Sequence, residues 1–226
     1  MKISLREKYN KMPLPAKASI WFVICSVVQK GIAFITTPIF TRLLTTEEYG
    51  MVSIFNSWHS ILTMILTLQL SSGVFYKAMV KYEKERDSYT SSMLFLTSCL
   101  TVVGYIIYFP FRSYFNAFFG MNTWLTSAVF LEIFFSEAVS FWSIRHRFEY
   151  EYKTVIWYTL LSSILGTAFS LILVILFPEH RVYAKVIGTL AVHIIIYTYL
   201  YLKIMKRGRK LIWVSAWKYA LGYKYV

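Results

Sequence analysis

The chain has 226 residues, of which 57% are hydrophobic and 15% charged, with a formal net charge of +13. An ordinary soluble domain is roughly 25% charged, so a soluble fold is excluded: its surface would have to be built from apolar side chains. The mean hydropathy of +0.52 points instead to a polytopic, all-α membrane protein, since a helix needs about 20 mostly apolar residues to cross the hydrocarbon layer.

Six apolar runs are read as transmembrane helices, in chain order 18–40, 51–75, 88–111, 124–144, 154–177 and 183–202. Glycine and proline fall mainly near their ends, at Pro38, Gly50, Pro110, Gly120 and Pro178. The runs are continuous and do not alternate at period two, which favours helices over a barrel. Residues 1–17 form a basic N-terminus. The apolar stretch after it is too long for a signal-peptide core and no small-residue cleavage site follows, so it is a retained helix. Residues 203–226 are basic and aromatic, the pattern of an amphipathic interfacial tail leading toward a further element. Cys25 and Cys99 lie inside apolar runs and read as free thiols packed among helices.

Orientation follows from lysine and arginine, which accumulate on the cytoplasmic side. With the N-terminus inside, only Arg42, Arg112, Arg181 and Lys185 of the 24 basic residues fall on the outer side, and Lys30 lies within a helix. The rest cluster at the N-terminus, in the two inner loops and in the C-terminal tail. The positive charge therefore reports topology in a cytoplasmic membrane, with both termini cytoplasmic, and not a nucleic-acid partner.

Ionisable groups at membrane depth are costly and mark a pathway or an internal pair. Lys30 lies near the middle of the first run, Glu132 at similar depth in the fourth, and Glu137 deeper toward the inside. Glu132 and Glu137 point about 140° apart on an ideal helix, so they do not form one carboxylate dyad. Lys30 either contacts an anionic substrate group, with Glu132 or Glu137 as counter-charge or proton site, or forms a structural pair with Glu132. The second run carries a polar stripe, Asn56, Ser60, Thr63 and Thr67, flanked by His59 and Gln69. Such a stripe faces something other than lipid, either a hydrated cavity or a neighbouring helix. His193, mid-helix, is read as an interhelical hydrogen-bonding residue ahead of a proton relay. Ser162, Gly166 and Ser170 form a small-residue ladder suited to close helix packing, echoed by Ser136 and Ser140. The charged loop 145–153 reads as a solvated turn, with contact to headgroups or a soluble partner as the alternative.

No nucleotide-binding glycine loop is present. The four histidines are dispersed, so neither a metal nor another cofactor is expected. Glu83, Glu85, Asp87, Glu149 and Glu151 lie among lysines and arginines in no catalytic spacing, which argues against an enzyme.

The stretch TPIFTRLLTTEEYG over residues 37–50 resembles the first-loop signature of lipid-linked oligosaccharide flippases. These are polysaccharide-biosynthesis exporters related to multidrug and toxin extrusion proteins. The residues that carry the likeness are Pro38, Thr41, Arg42, Leu43, Glu47, Glu48, Tyr49 and Gly50, and the resemblance runs through all six helices. Pro38 can kink or end the first helix. Glu47 and Glu48 suit the N-terminus of the second, where the dipole favours negative charge. Family members are typically about twice this length, with two six-helix lobes around a central cavity. The resemblance thus implies one lobe, the N-terminal half, of a two-lobe exporter, from a truncated product or a split transporter.

The substrate it implies is a polyprenyl-pyrophosphate-linked oligosaccharide, moved outward in a hydrated cationic cavity. Lys30, Asn56, His59, Ser60, Thr63, Glu132 and Glu137 are the substrate-binding candidates. Expected partners are membrane lipid, the lipid-linked oligosaccharide, a second six-helix half and other polysaccharide-assembly proteins. The alternatives are a drug/cation antiporter lobe, which would favour carboxylates in an apolar cavity, and a non-transporting remnant or assembly partner.

Overall fold

The computed structural model describes residues 12–222. Lys2, Arg6, Lys8 and Lys11, with Lys224 at the other end, lie outside the described residues. Nine helices follow in order among the described residues, with no strand. They are α1 (Leu14–Leu43), α2 (Thr46–Leu66), α3 (Val74–Lys81), α4 (Arg86–Tyr108), α5 (Arg112–Phe119), α6 (Thr123–Phe148), α7 (Tyr152–Leu176), α8 (Arg181–Gly208) and α9 (Val214–Gly222), with a 3-10 turn over Glu83–Glu85 ahead of α4.

Five helices, α1, α4, α6, α7 and α8, are long and apolar enough to cross a membrane. The chain is therefore an all-α polytopic membrane protein. The expected sixth span is α2. Its 21 residues reach about 31 Å at 1.5 Å per residue, but Ser53, Asn56, Ser57, His59 and Ser60 dilute its apolar character. The second run also ends sooner than expected, at Leu66 and not at residue 75. Leu68 and Gln69 take left-handed backbone angles, φ 51° and 48°, which bulky residues adopt only under local constraint. The Thr67 hydroxyl caps the break, donating to the Thr63 carbonyl at 2.8 Å and accepting from the Gln69 N–H at 3.3 Å.

Local chemistry explains the other boundaries. Thr45 and Glu48 form a reciprocal capping box: Thr45 N–H donates to Glu48 Oε2 at 2.7 Å and Glu48 N–H to Thr45 Oγ1 at 3.2 Å. Pro38 neither ends nor leaves α1, which continues to Leu43. Asn122 caps α6 by accepting from Leu125 N–H, and Gly120, at φ 65°, stops α5 where the backbone must turn left-handed.

The long helices run antiparallel in sequence, and contacts at both ends fix the alternation. At the end where the chain enters α1, Arg145 pairs with Asp87 and with Glu149 at 3.3 Å, and Arg207 reaches Asp87 at 3.2 Å. Arg86 stands 4.0 Å from Glu149, and the Arg147 guanidinium lies over the Phe22 ring. The start of α4 and the ends of α6 and α8 therefore meet there, beside the start of α1. The charged loop 145–153 is thus largely tied into internal ion pairs and is not simply a solvated turn. At the opposite end Arg181 donates to the Leu43 carbonyl at 2.5 Å.

α7 lies along α8, α8 also contacts α6 and α4, and α1 packs chiefly on α7. One apolar cluster gathers Phe75, Tyr89, Met93, Phe141 and Leu200 near the basic end. A second gathers Phe55, Tyr108, Val129, Phe130 and Ile133 near the other. The segment after α8 folds back onto the first cluster: Trp217 Nε1–H donates to Ser92 Oγ at 2.7 Å, and Ala216 and Ala220 are buried. Ser88 and Ser91 donate to the carbonyls of Gly208 and Lys210, and a Cβ at Gly208 would run into Ser91 and the Asp87 carbonyl.

Candidate functional site

Among the ionisable residues singled out from the sequence, the structure brings Glu132 and His59 together and leaves Lys30 apart. Glu132 does not pair with Lys30. Its Oε1 lies 3.0 Å from His193 Nδ1, with both side chains largely buried, 14% and 19% exposed. The expected Lys30–Glu132 pair fails because α1 packs on α7, while Glu132 on α6 faces α8. Lys30 is exposed on α1 and makes no ion pair among the described residues.

The Glu132–His193 pair is the centre of a polar cluster. His59, on α2, lies close enough to both to interact electrostatically, and its buried Nε2 has no hydrogen-bond partner among the described residues. The His193 ring stacks on Tyr197, centroids 4.7 Å apart and planes within 17°. Tyr197 in turn reaches the Ser162 hydroxyl on α7. Four helices thus contribute to one cluster of carboxylate, imidazole, phenol and hydroxyl groups, with the imidazole and the phenol in ring contact. An imidazole paired with a carboxylate can hold a proton, and the same pair ties α6 to α8. The reading of His193 as an interhelical hydrogen-bonding residue agrees with this geometry.

Glu137 is 3% exposed, and its Oε2 has no partner among the described residues. It stands apart from the Glu132 cluster, as the angular separation on α6 requires.

The α2 stripe satisfies its own hydroxyls. Ser60 donates to the Asn56 carbonyl at 3.0 Å and Thr63 to the His59 carbonyl at 2.6 Å, so no neighbouring helix takes these hydrogen bonds. Asn56 and Ser60 are exposed, Thr63 is half-buried and Thr67 is buried. The stripe therefore splits: its middle lies on an open face, and its lower end turns inward at the break after Leu66.

Sequence reasoning missed Lys185, which it placed among the outer charges. The side chain turns into a groove between α1, α7 and α8, with Nζ 3.6 Å from the centroid of the Phe40 ring. The signal available was its position one turn inside the start of an apolar helix, where a lysine has no need to sit. The small-residue ladder does pack as expected. Ser162, Gly166 and Ser170 are buried, Ser170 donates to the Lys185 carbonyl at 3.1 Å, and Gly166 leaves the space that His193 and Thr189 border.

A family model described as polysaccharide biosynthesis protein matches residues 16–218, a stretch that takes in every long helix apart from the first two residues of α1. No curated protein and no solved structure matches the chain.

Proposed function

Because the chain belongs to the polysaccharide biosynthesis protein family, with a polysaccharide-related export role, we propose that it is one lobe of a flippase for a lipid-linked oligosaccharide. The substrate class is a polyprenyl-pyrophosphate-linked oligosaccharide, moved outward across the cytoplasmic membrane with both termini of the chain on the cytoplasmic side. The observation that carries this reading is the family match across a bundle whose spans hold ionisable and hydroxyl side chains at membrane depth. Such side chains mark a path for a polar cargo. The lobe works with a second six-helix half, and lipid and other polysaccharide-assembly proteins are its further partners. It has no enzymatic step of its own.

The test is export of lipid-linked oligosaccharide in cells lacking their own flippase. The chain is expressed alone and together with any six-helix half encoded beside it. Rescue by the pair and not by the chain alone supports a split transporter. Correct insertion with no rescue by either refutes export of this substrate.

One observation favours a second reading. Glu137, a buried carboxyl with an unpartnered oxygen, is the kind of group a drug/cation antiporter lobe would use. Tighter binding of a lipophilic cation than of a lipid pyrophosphate, lost in Glu137→Gln, would select that reading.

A further inference from the structure

The groove that holds Lys185 is built from three helices and from the very stretch that carries the family signature. Lys185 lies about 6 Å inside the start of α8 at 1.5 Å per residue. Its ammonium group rests over Phe40 and stands 5.8 Å from the Tyr49 ring, both within residues 37–50. Ion pairs elsewhere satisfy many of the charges at the basic end, yet Lys185 has neither an ion pair nor a hydrogen bond from Nζ among the described residues. No carboxylate lines the groove.

What does line it is a set of hydrogen-bond donors. The Gln29 amide and the hydroxyls of Ser163 and Thr167 border the cavity of about 200 Å³. None of the three has a partner among the described residues. Thr36, by contrast, donates to its own helix at the Ile32 carbonyl, and Ser170 and Thr189 to the Lys185 carbonyl. The free donors and the cation thus converge on one space from α1, α7 and α8. An unpaired cation inside a membrane bundle is costly, and the π-face beneath it offsets only part of that cost. An anion with several acceptor oxygens would satisfy the cation and the free donors together.

We infer that the groove around Lys185 is a binding site for a phosphate-type oxyanion. Lys185 supplies the charge, and Gln29, Ser163 and Thr167 donate to separate oxygens. Ile164, next to the lining residue Ser163 on α7, is an exposed apolar side chain, so an acyl or prenyl chain attached to the phosphate would leave the groove over lipid-facing surface. That lipid-borne source rests on the export reading; the oxyanion site itself rests on the groove. The 37–50 stretch therefore shapes the wall of a ligand site as well as the turn between α1 and α2.

The experiment is equilibrium binding to the full chain in neutral detergent micelles. The ligands are farnesyl pyrophosphate, farnesol and inorganic pyrophosphate, and the proteins are wild type, Lys185→Met, Lys185→Arg and Lys30→Met. Charge-assisted hydrogen bonds are worth about 1.5–3 kcal/mol, so loss of the ammonium should weaken farnesyl pyrophosphate binding roughly ten- to a hundredfold. The arginine variant should stay near wild type, and farnesol should bind all four alike. Much weaker binding of inorganic pyrophosphate identifies a lipid-borne phosphate, whereas equal binding that also depends on Lys185 identifies a free anion. Unchanged farnesyl pyrophosphate affinity in Lys185→Met overturns the site. An equal loss in Lys185→Arg overturns it too, since that variant keeps the charge. Binding that follows Lys30→Met instead removes the groove and leaves the export reading standing. Pyrophosphate binding that needs Lys185, in a chain that rescues no export with its second half, does the reverse.

Discussion

Gly188 offers the sharpest test of how the bundle is held together. It sits on α8 against Ser170 of α7, and a Cβ there would lie 2.7 Å from the Ser170 nitrogen and closer still to its Cα. Those atoms are backbone, so no rotamer change relieves the clash, and α7 and α8 must separate. Overpacking of this kind costs about 1–3 kcal/mol. Separation also lengthens the 3.1 Å hydrogen bond from Ser170 to the Lys185 carbonyl, and interhelical bonds in membranes average about 0.6 kcal/mol. Gly188→Ala should therefore destabilise the chain by roughly 2–4 kcal/mol, which lowers the melting temperature by about 4–16 °C for a chain of this size. The assay is thermal loss of helical signal in detergent micelles, with Gly31→Ala as control. A Cβ at Gly31 meets nothing within 4 Å, so that change should be neutral or stabilise by up to about 1 kcal/mol through helix propensity. Adding Ser170→Gly to Gly188→Ala should restore little, because the Cα and nitrogen remain. A Gly188→Ala melting temperature within about 1 °C of wild type would refute the close α7–α8 approach.

A double-mutant cycle on Glu132→Gln and His193→Asn should give a coupling of about 0.6–1.7 kcal/mol; additive unfolding free energies would show that the pair does not form. Arg145 is 11% exposed and serves both Asp87 and Glu149, whereas Arg207 is 61% exposed. Arg145→Met should thus cost about 2 kcal/mol or more and Arg207→Met at most about 1 kcal/mol, read from the same melts. Trp217→Phe keeps an aromatic ring, though a smaller one, and removes the donor to Ser92. It should speed hydrogen exchange across α9 while leaving α7 and α8 unchanged, and equal exchange in both variants would mean that α9 is held by packing alone.

The long helices were legible because an apolar run of spanning length has few other fates. Where they turn was less so. The run through Leu68 and Leu70 hid the end of α2, although Thr67, Ser71, Ser72 and Gly73 supplied a turn-rich cluster. The short helices α3 and α5 were missed because eight residues carry too little periodicity against loops of similar composition. Depth along a helix could be counted, which placed Lys30 and Glu132 at one level. Which helix each faces could not be, because that depends on packing partners distant in sequence. Glu132 therefore found His193, 61 positions away, in place of the expected lysine.

The two polar sites share a cause in the α7–α8 seam. Lys185, Thr189, His193 and Tyr197 recur every four residues along α8, so they lie in one slowly turning row. Opposite them run Ser170, Gly166 and Ser162, also every four residues, in the reverse direction. Ser170 bonds the Lys185 carbonyl, Gly166 borders both Thr189 and His193, and Ser162 reaches Tyr197. Small residues on α7 are what allow a row of large polar side chains on α8 to stay inside the bundle. The ladder read from the sequence as packing thus does a second job. By admitting α8 closely, it holds the Lys185 groove and the Glu132–His193 cluster in fixed register about two turns apart. A change that opens the seam, such as Gly188→Ala, should consequently weaken pyrophosphate binding and the Glu132–His193 coupling together. Independent behaviour of the two would mean that the row is a coincidence of spacing.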